Sequence, residues 1–331
     1  MKARWPSMSD LKSNPVLLLG RGDSSGRIRT VELIRPNTSF DFMRIRKYAY
    51  LLSTIAMLLA LLSVPIKGTI KLGIDFTGGV MIQVKFPKPV PTEEVRKALD
   101  PIGENLVVQG FTGGDEFVIR TEATEEGTQK LSNQVKELLE NKVGKGNVDI
   151  RNVEMVGPKV GKDLREAAVW ATVLALGMLL IYVGFMRFGV SMALGAILCL
   201  IHDIVIIYGL FVWTDKEFNL TILAAILTVI GYDVNDTVVV CDRIRENLGL
   251  MRKTSLGEIL NTSINQTLSR TILTGLATLL VVVALYFLGT NVLADFALAL
   301  FVGILLGTFS SIFVATPLIL AWDRLVPVKR L

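Results

Sequence analysis

Cysteine and histidine are almost absent from this chain: its 331 residues include two cysteines and one histidine. Cys199 and Cys241 both lie in or at the end of apolar runs, so the polar part of the chain has no disulfide framework. The lone His202 has no Cys/His cluster around it, which excludes a zinc site. Charge is scarce as well. Charged residues make up 20 % of the chain, below the roughly one quarter of a soluble domain. The net charge of +5 is modest, and lysine and arginine collect at the ends of apolar runs. That distribution fits a membrane protein and gives no support to nucleic-acid binding. No nucleophile–base pair or metal set is visible, so neither an enzyme nor a resident cofactor is expected. The first apolar run is too long for a cleavable leader and has no small-residue cleavage site.

What the chain has in abundance is apolar sequence, 51 % of its residues, with a mean hydropathy of +0.52. About 20 apolar residues carry a helix across the hydrocarbon core. Six segments meet that length: 48–66, 167–186, 188–214, 218–240, 271–288 and 296–322. The third contains His202 and Asp203, the fourth Asp233 and Asp236, and the sixth Pro317. A helical polytopic membrane protein with a six-helix bundle follows.

Residues 67–166 read differently. Val80, Ile82 and Val84 alternate with Met81 and Gln83 as in a half-buried strand. Segments 105–110, 116–121 and 147–156 read as further strands, and 91–99 and 124–141 as helices. The order β-α-β-β-α-β is that of an α+β ferredoxin-like domain. Its paired glycines read as turns rather than phosphate cradles, because no Lys-Ser/Thr follows them.

Orientation follows from lysine and arginine in short loops. Arg44, Arg46 and Lys47 precede span one, Arg187 lies between spans two and three, and Arg243, Arg245, Arg252, Lys253 and Arg270 lie between spans four and five. Arg324, Lys329 and Arg330 follow span six. Both termini are expected in the cytoplasm and 67–166 outside, periplasmic or extracellular. The basic residues flanking the insert weigh little, because long domains translocate largely regardless of charge. The resulting plan is a cytoplasmic segment 1–47, span one at 48–66, the outer domain 67–166, spans two to six within 167–322 with a cytoplasmic loop 241–270, and a tail 323–331.

The informative residues are ionisable groups inside spans, each costing a few kcal/mol near mid-bilayer. Asp233 and Asp236, three apart, share a helix face, with Asn235 between them and Thr237 beyond. Asp203 follows His202 in span three. Arg270 heads span five, with Thr274 and Thr278 on its face. Spans three to five thus present carboxylates, an arginine and hydroxyls to one seam, while spans one, two and six read as apolar scaffold. Two readings stand. The groups are polar glue between helices, with Arg270 snorkelling to the interface, or the seam passes protons. Ser255 and Glu258 form a capping-box pattern, which predicts that span five starts as a cytoplasmic helix.

Several motifs resemble the SecD/SecF family of the resistance-nodulation-division superfamily. The run from Gly231 through Asp233, Asn235 and Asp236 to Asn247 resembles the family's fourth-span signature. Asn265-Gln-Thr-Leu-Ser-Arg270-Thr271 precedes span five, and Gly73-Ile-Asp-Phe-Thr-Gly-Gly79 follows span one, both as in the family. Asp41-Phe42, Val156-Gly-Pro158 and Ile201-His-Asp203 fit too. The resemblance covers about residues 40–325. It implies a cell (inner) membrane subunit of the SecF kind, paired with a SecD-like subunit beside the SecYEG channel, with YajC as a further partner. Such a pair uses the proton motive force, or sodium in some species, to complete export of preproteins. The family's transport aspartate and arginine fall on Asp236 and Arg270. Asp233 stands where a serine is usual. Six spans are half of a transporter built from two repeats. The alternatives are a small-molecule or lipid exporter of the same superfamily and a structural partner subunit.

Overall fold

The computed structural model describes residues 39–322, apart from 104–105, 112, 122–126, 185–189 and 290. The segment 1–38, the tail 323–331 and Arg187 lie outside the described residues. Helix α1 (Phe42–Lys67) starts at Asp41, whose carboxylate accepts the Arg44 N–H at 2.9 Å. Its exposed face carries Tyr48, Leu51, Leu52, Ile55, Leu58 and Leu62. Such a row suits lipid or a partner helix.

The insert follows as β1 (Lys71–Leu72), α2 (Ile74–Thr77), β2 (Gly79–Lys85), α3 (Thr92–Leu99), β3 (Val107–Gly110), β4 (Glu116–Thr121), α4 (Thr128–Val143) and β5 (Asp149–Val156). Four strands form an antiparallel sheet in the order β3-β4-β2-β5, the ferredoxin-like arrangement that the β-α-β-β-α-β order predicts. Val80, Ile82 and Val84 of β2 meet Phe117 and Ile119 of β4, Val95 and Leu99 of α3, and Val135 and Leu139 of α4. Each such side chain contributes about 1.5–3 kcal/mol when fully buried. The last strand begins two residues later than the pattern suggests, within the usual spread at element ends.

The chain then forms α5 (Pro158–Ile181), α6 (Val190–Trp213), β6 (Glu217–Phe218), α7 (Leu220–Leu250), α8 (Leu256–Leu288), α9 (Asn291–Ser310) and α10 (Thr316–Trp322). Together with α1 these supply six helices long and apolar enough to cross a membrane, α9 and α10 forming the sixth. A π-helical stretch, Ser311–Ala315, joins α9 to α10. Pro317 explains it: the missing N–H cannot reach the carbonyl one turn back, and the ladder slips by one residue.

Most of the segment 241–270 is helical, with a break at 251–255. Helix α7 continues to Leu250, and α8 begins at Leu256 with both halves of the capping box formed between Ser255 and Glu258. Side chains hold the two extensions together. Asn247 Nδ2 donates to Ser263 Oγ at 2.9 Å and to Gln266 Oε1 at 2.8 Å, and Arg243 Nε donates to Gln266 Oε1 at 2.7 Å. The chain entering α1 is pinned to the same extension. Phe40 N–H donates to Asn265 Oδ1 at 2.8 Å, and Phe42 N–H donates to Asn261 Oδ1 at 2.8 Å.

On the opposite side the insert is bound to the bundle. Strand β1 pairs in parallel with β6, Lys71 opposite Glu217 and Leu72 opposite Phe218. Asp215 pairs with Lys67 at 2.7 Å and Lys71 at 3.2 Å. Arg120 of β4 forms an ion pair with Glu217. Burial pushes the Arg120 guanidinium down to about 10, against the raising pull of Asp75 and Asp295, so it stays cationic at neutral pH.

Candidate functional site

The site is a buried polar seam in the apolar bundle. On α6, Asp203 is 1 % exposed and His202 5 % exposed. Asp203 Oδ1 lies 2.8 Å from His202 Nδ1, and Asp203 Oδ2 accepts from Ser310 Oγ at 2.6 Å. His202 Nε2 lies 2.6 Å from Ser53 Oγ on α1. Both ring nitrogens of His202 are thus engaged, one by Asp203 and the other by Ser53. This chain of four side chains ties α1, α6 and the end of α9 together.

Asp233 and Asp236 point into the bundle from α7, each 2 % exposed. Asp233 lies beside Asp203, and its next carboxylate neighbour is Asp236. Among the described residues neither Asp233 oxygen has a hydrogen-bond partner, nor has Asp236 Oδ2, the Tyr232 hydroxyl or the Thr271 hydroxyl. An uncompensated charge at a helix centre costs about 2.5–3.5 kcal/mol on insertion scales. The cost falls when the carboxyl takes a proton or a cation. Helix α9 makes room for Asp233. Gly303 faces Val229 and Gly307 faces the Asp233 carboxyl, a small-xxx-small pairing that lets the two helices approach closely.

Arg270 is exposed on α8. Among the described residues no ion pair joins it to Asp236, yet it is the oppositely charged group acting on that carboxyl through space. Thr274 Oγ1 donates to the Arg270 carbonyl at 3.0 Å and to the Thr271 carbonyl at 3.1 Å, so its proton is spent on its own helix. Thr237 is buried on the Asp236 side of α7, whereas Asn235 is exposed on the outer face. The structure therefore brings Asp203, Asp233 and Asp236 into one buried region, with Arg270 at its edge. Among the described residues no group of three or more His, Cys, Asp or Glu side chains is arranged to hold a metal ion.

Residues 134–325 match the family model for the protein export membrane protein SecD/SecF, C-terminal, and residues 68–90 match the SecD/SecF GG motif. The chain belongs to the SecD/SecF family. Its SecD/SecF relatives include the protein translocase subunit SecF of Desulfurispirillum indicum, 42 % identical over 85 % of this chain and 91 % of the relative. The protein translocase subunit SecF of Magnetococcus marinus is 44 % identical over 86 % and 93 %. Among solved structures, SecDF of Thermus thermophilus, described as a translocon-associated membrane protein, matches with a TM-score of 0.80 at 37 % identity. The match covers 90 % of this chain and 40 % of the SecDF chain. SecDF in a super-membrane-facing form matches with a TM-score of 0.66 and 38 % identity, over 91 % of this chain and 41 % of the other.

In this SecD/SecF chain the seam reaches further than its charged residues indicate. Ser53, Tyr232, Thr271, Ser310 and Gly307 belong to it, so spans one and six are more than scaffold. The only sequence signal for the last of these was the small pair Gly303 and Gly307, spaced four apart. A serine in an apolar span gives no comparable signal, because most such hydroxyls bond to their own helix.

Proposed function

We propose that this chain is the SecF-type half of a twelve-span export machine, and that proton passage through Asp236, modulated by Arg270, drives it. The observation that carries the reading is the Asp236 carboxyl, 2 % exposed, with one oxygen unpaired inside a membrane span. One elementary charge crossing the membrane field releases about 2.3 kcal/mol per 100 mV. Spread over repeated cycles, that energy moves the bundle and the insert bound to it. Asp233 and Asp203 lie next along the path, with sodium as the other coupling ion that oxygen ligands suit. The second half is a SecD-like subunit. Support comes from the match to 40 % of the SecDF chain, whose remaining length leaves room for such a half. SecYEG passes the preprotein to the pair in the inner membrane, YajC is a further neighbour, the termini face the cytoplasm and the insert faces outward.

Cells carrying Asp236→Asn at normal membrane levels test this. Proton-driven export is expected to fall to a small fraction of normal, and wild-type export would overturn the proposal.

A second reading has its own observation. The closed set Ser53, His202, Asp203 and Ser310 is what polar glue between helices looks like. On that reading the chain only stabilises its partner. Full export after replacing both Asp236 and Arg270 would favour it.

A further inference from the structure

The segment Gly73–Gly79 is a motif without a part in the ion seam, about a helix length away from it. Gly73 N–H donates to the Phe218 carbonyl at 2.9 Å, extending the parallel pairing of β1 with β6. A Cβ at Gly73 would lie 3.0 Å from Asn219 Cβ, tighter than ordinary packing. Asp75 Oδ2 accepts the N–H of Leu220, the first residue of α7, at 2.9 Å. Asn219 caps the same helix end by accepting the Ile222 N–H at 2.9 Å. Phe76 stacks on Phe218 with centroids 5.8 Å apart.

The other end of the segment grips α5. Gly78 has φ +77°, and a Cβ there would stand 2.7 Å from Pro158 Cα. A Cβ at Gly161 would stand 2.8 Å from Gly78 N. Gly79, with φ +124°, then enters β2, the strand that pairs with both β4 and β5. Gly78 and Gly79 have positive φ, and at Gly78, Gly79 and Gly161 a backbone passes too close for a side chain.

We infer that Gly73–Gly79 is a mechanical link that fastens the insert and the start of α5 to the first turn of α7, with Asp75 as its positioning residue. Helix α7 is unbroken from Leu220 to Leu250. It carries Asp236 sixteen residues, about 24 Å, beyond the Asp75 cap at 1.5 Å per residue. A rigid rod of that length delivers a displacement of its seam to its capped end. There it meets the insert through β1, Asp75 and, by the Arg120–Glu217 pair, β4. The transmission of ion-driven motion rests on the proposed function; the fastening itself does not.

The test is hydrogen–deuterium exchange on the full chain with its partner in nanodiscs, alongside export in cells. Asp75→Ala is expected to raise exchange across 217–222 at least threefold and to lower export several-fold at normal membrane levels. Asp75→Asn keeps an acceptor for the Leu220 N–H and is expected to restore both. Unchanged exchange in Asp75→Ala overturns the fastening. Raised exchange with wild-type export overturns the transmission. Asp236→Asn measured in parallel separates the two ideas, because normal export in that variant removes the ion reading while exchange at 217–222 still decides the link.

Discussion

The Asp233 carboxyl occupies the space that Gly307 leaves open on the facing helix, and a Cβ built at Gly307 would overlap it. Gly307→Ala is therefore expected to destabilise the bundle by about 1–3 kcal/mol, the usual cost of overpacking. Thermal unfolding in detergent measures it. Asp233→Ser in the same chain shortens the facing side chain and should recover most of the loss, and an additive double variant would refute this coupling.

Ser310 donates to Asp203 Oδ2 at 2.6 Å in a fully buried setting. Ser310→Ala leaves that oxygen without its donor and is expected to cost about 1–3 kcal/mol, the usual penalty for a buried acceptor left unsatisfied. Asp203→Asn in the Ser310→Ala background should cost less than the sum of the two single changes. Chemical denaturation of the purified protein reads both.

Ser255 closes the capping box at the start of α8. Ser255→Ala is expected to lower stability by about 1 kcal/mol and to speed amide exchange across 255–259. Export should stay near normal, because this helix end is far from the seam along α8.

Hydrogen bonds from Lys67 and Lys71 hold the Asp215 carboxyl below its ordinary value. A lowered folded-state value gives stability that is complete above the unfolded carboxylate range of about 3.9 and fades as pH falls through the folded value. The stability gap between wild type and Asp215→Asn should thus be flat from neutral pH to about 5 and close only at stronger acidity. Asp215 is half exposed, so the gap is small and shrinks with added salt.

Much of this architecture was legible in the residues. Long apolar runs, two of them interrupted by carboxylates, pointed to six spans because bilayer thickness sets their length. Alternation in β2 pointed to a half-buried sheet, and the β-α-β-β-α-β order to its topology. Ser255 with Glu258 announced the start of α8. The candidate seam was visible through Asp203, Asp233 and Asp236, since carboxylates in apolar spans are conspicuous by their cost. Exposed Asn235 and the back-bonded Thr274 were not legible as such: periodicity gives a residue's face, and neighbours decide what covers that face.

The sequence by itself determined the family, the membrane class, the number of spans and the presence of carboxylates that need a partner. These depend on local quantities, namely run length, charge and motif spacing. Only the tertiary structure decided that Ser53 and Ser310 complete the Asp203 network, that Gly307 houses Asp233, and that Asp75 caps α7 across 145 residues of chain. Those facts depend on which helices lie side by side. That is settled by packing among distant segments, where a missing Cβ or a single hydroxyl matters as much as a charge.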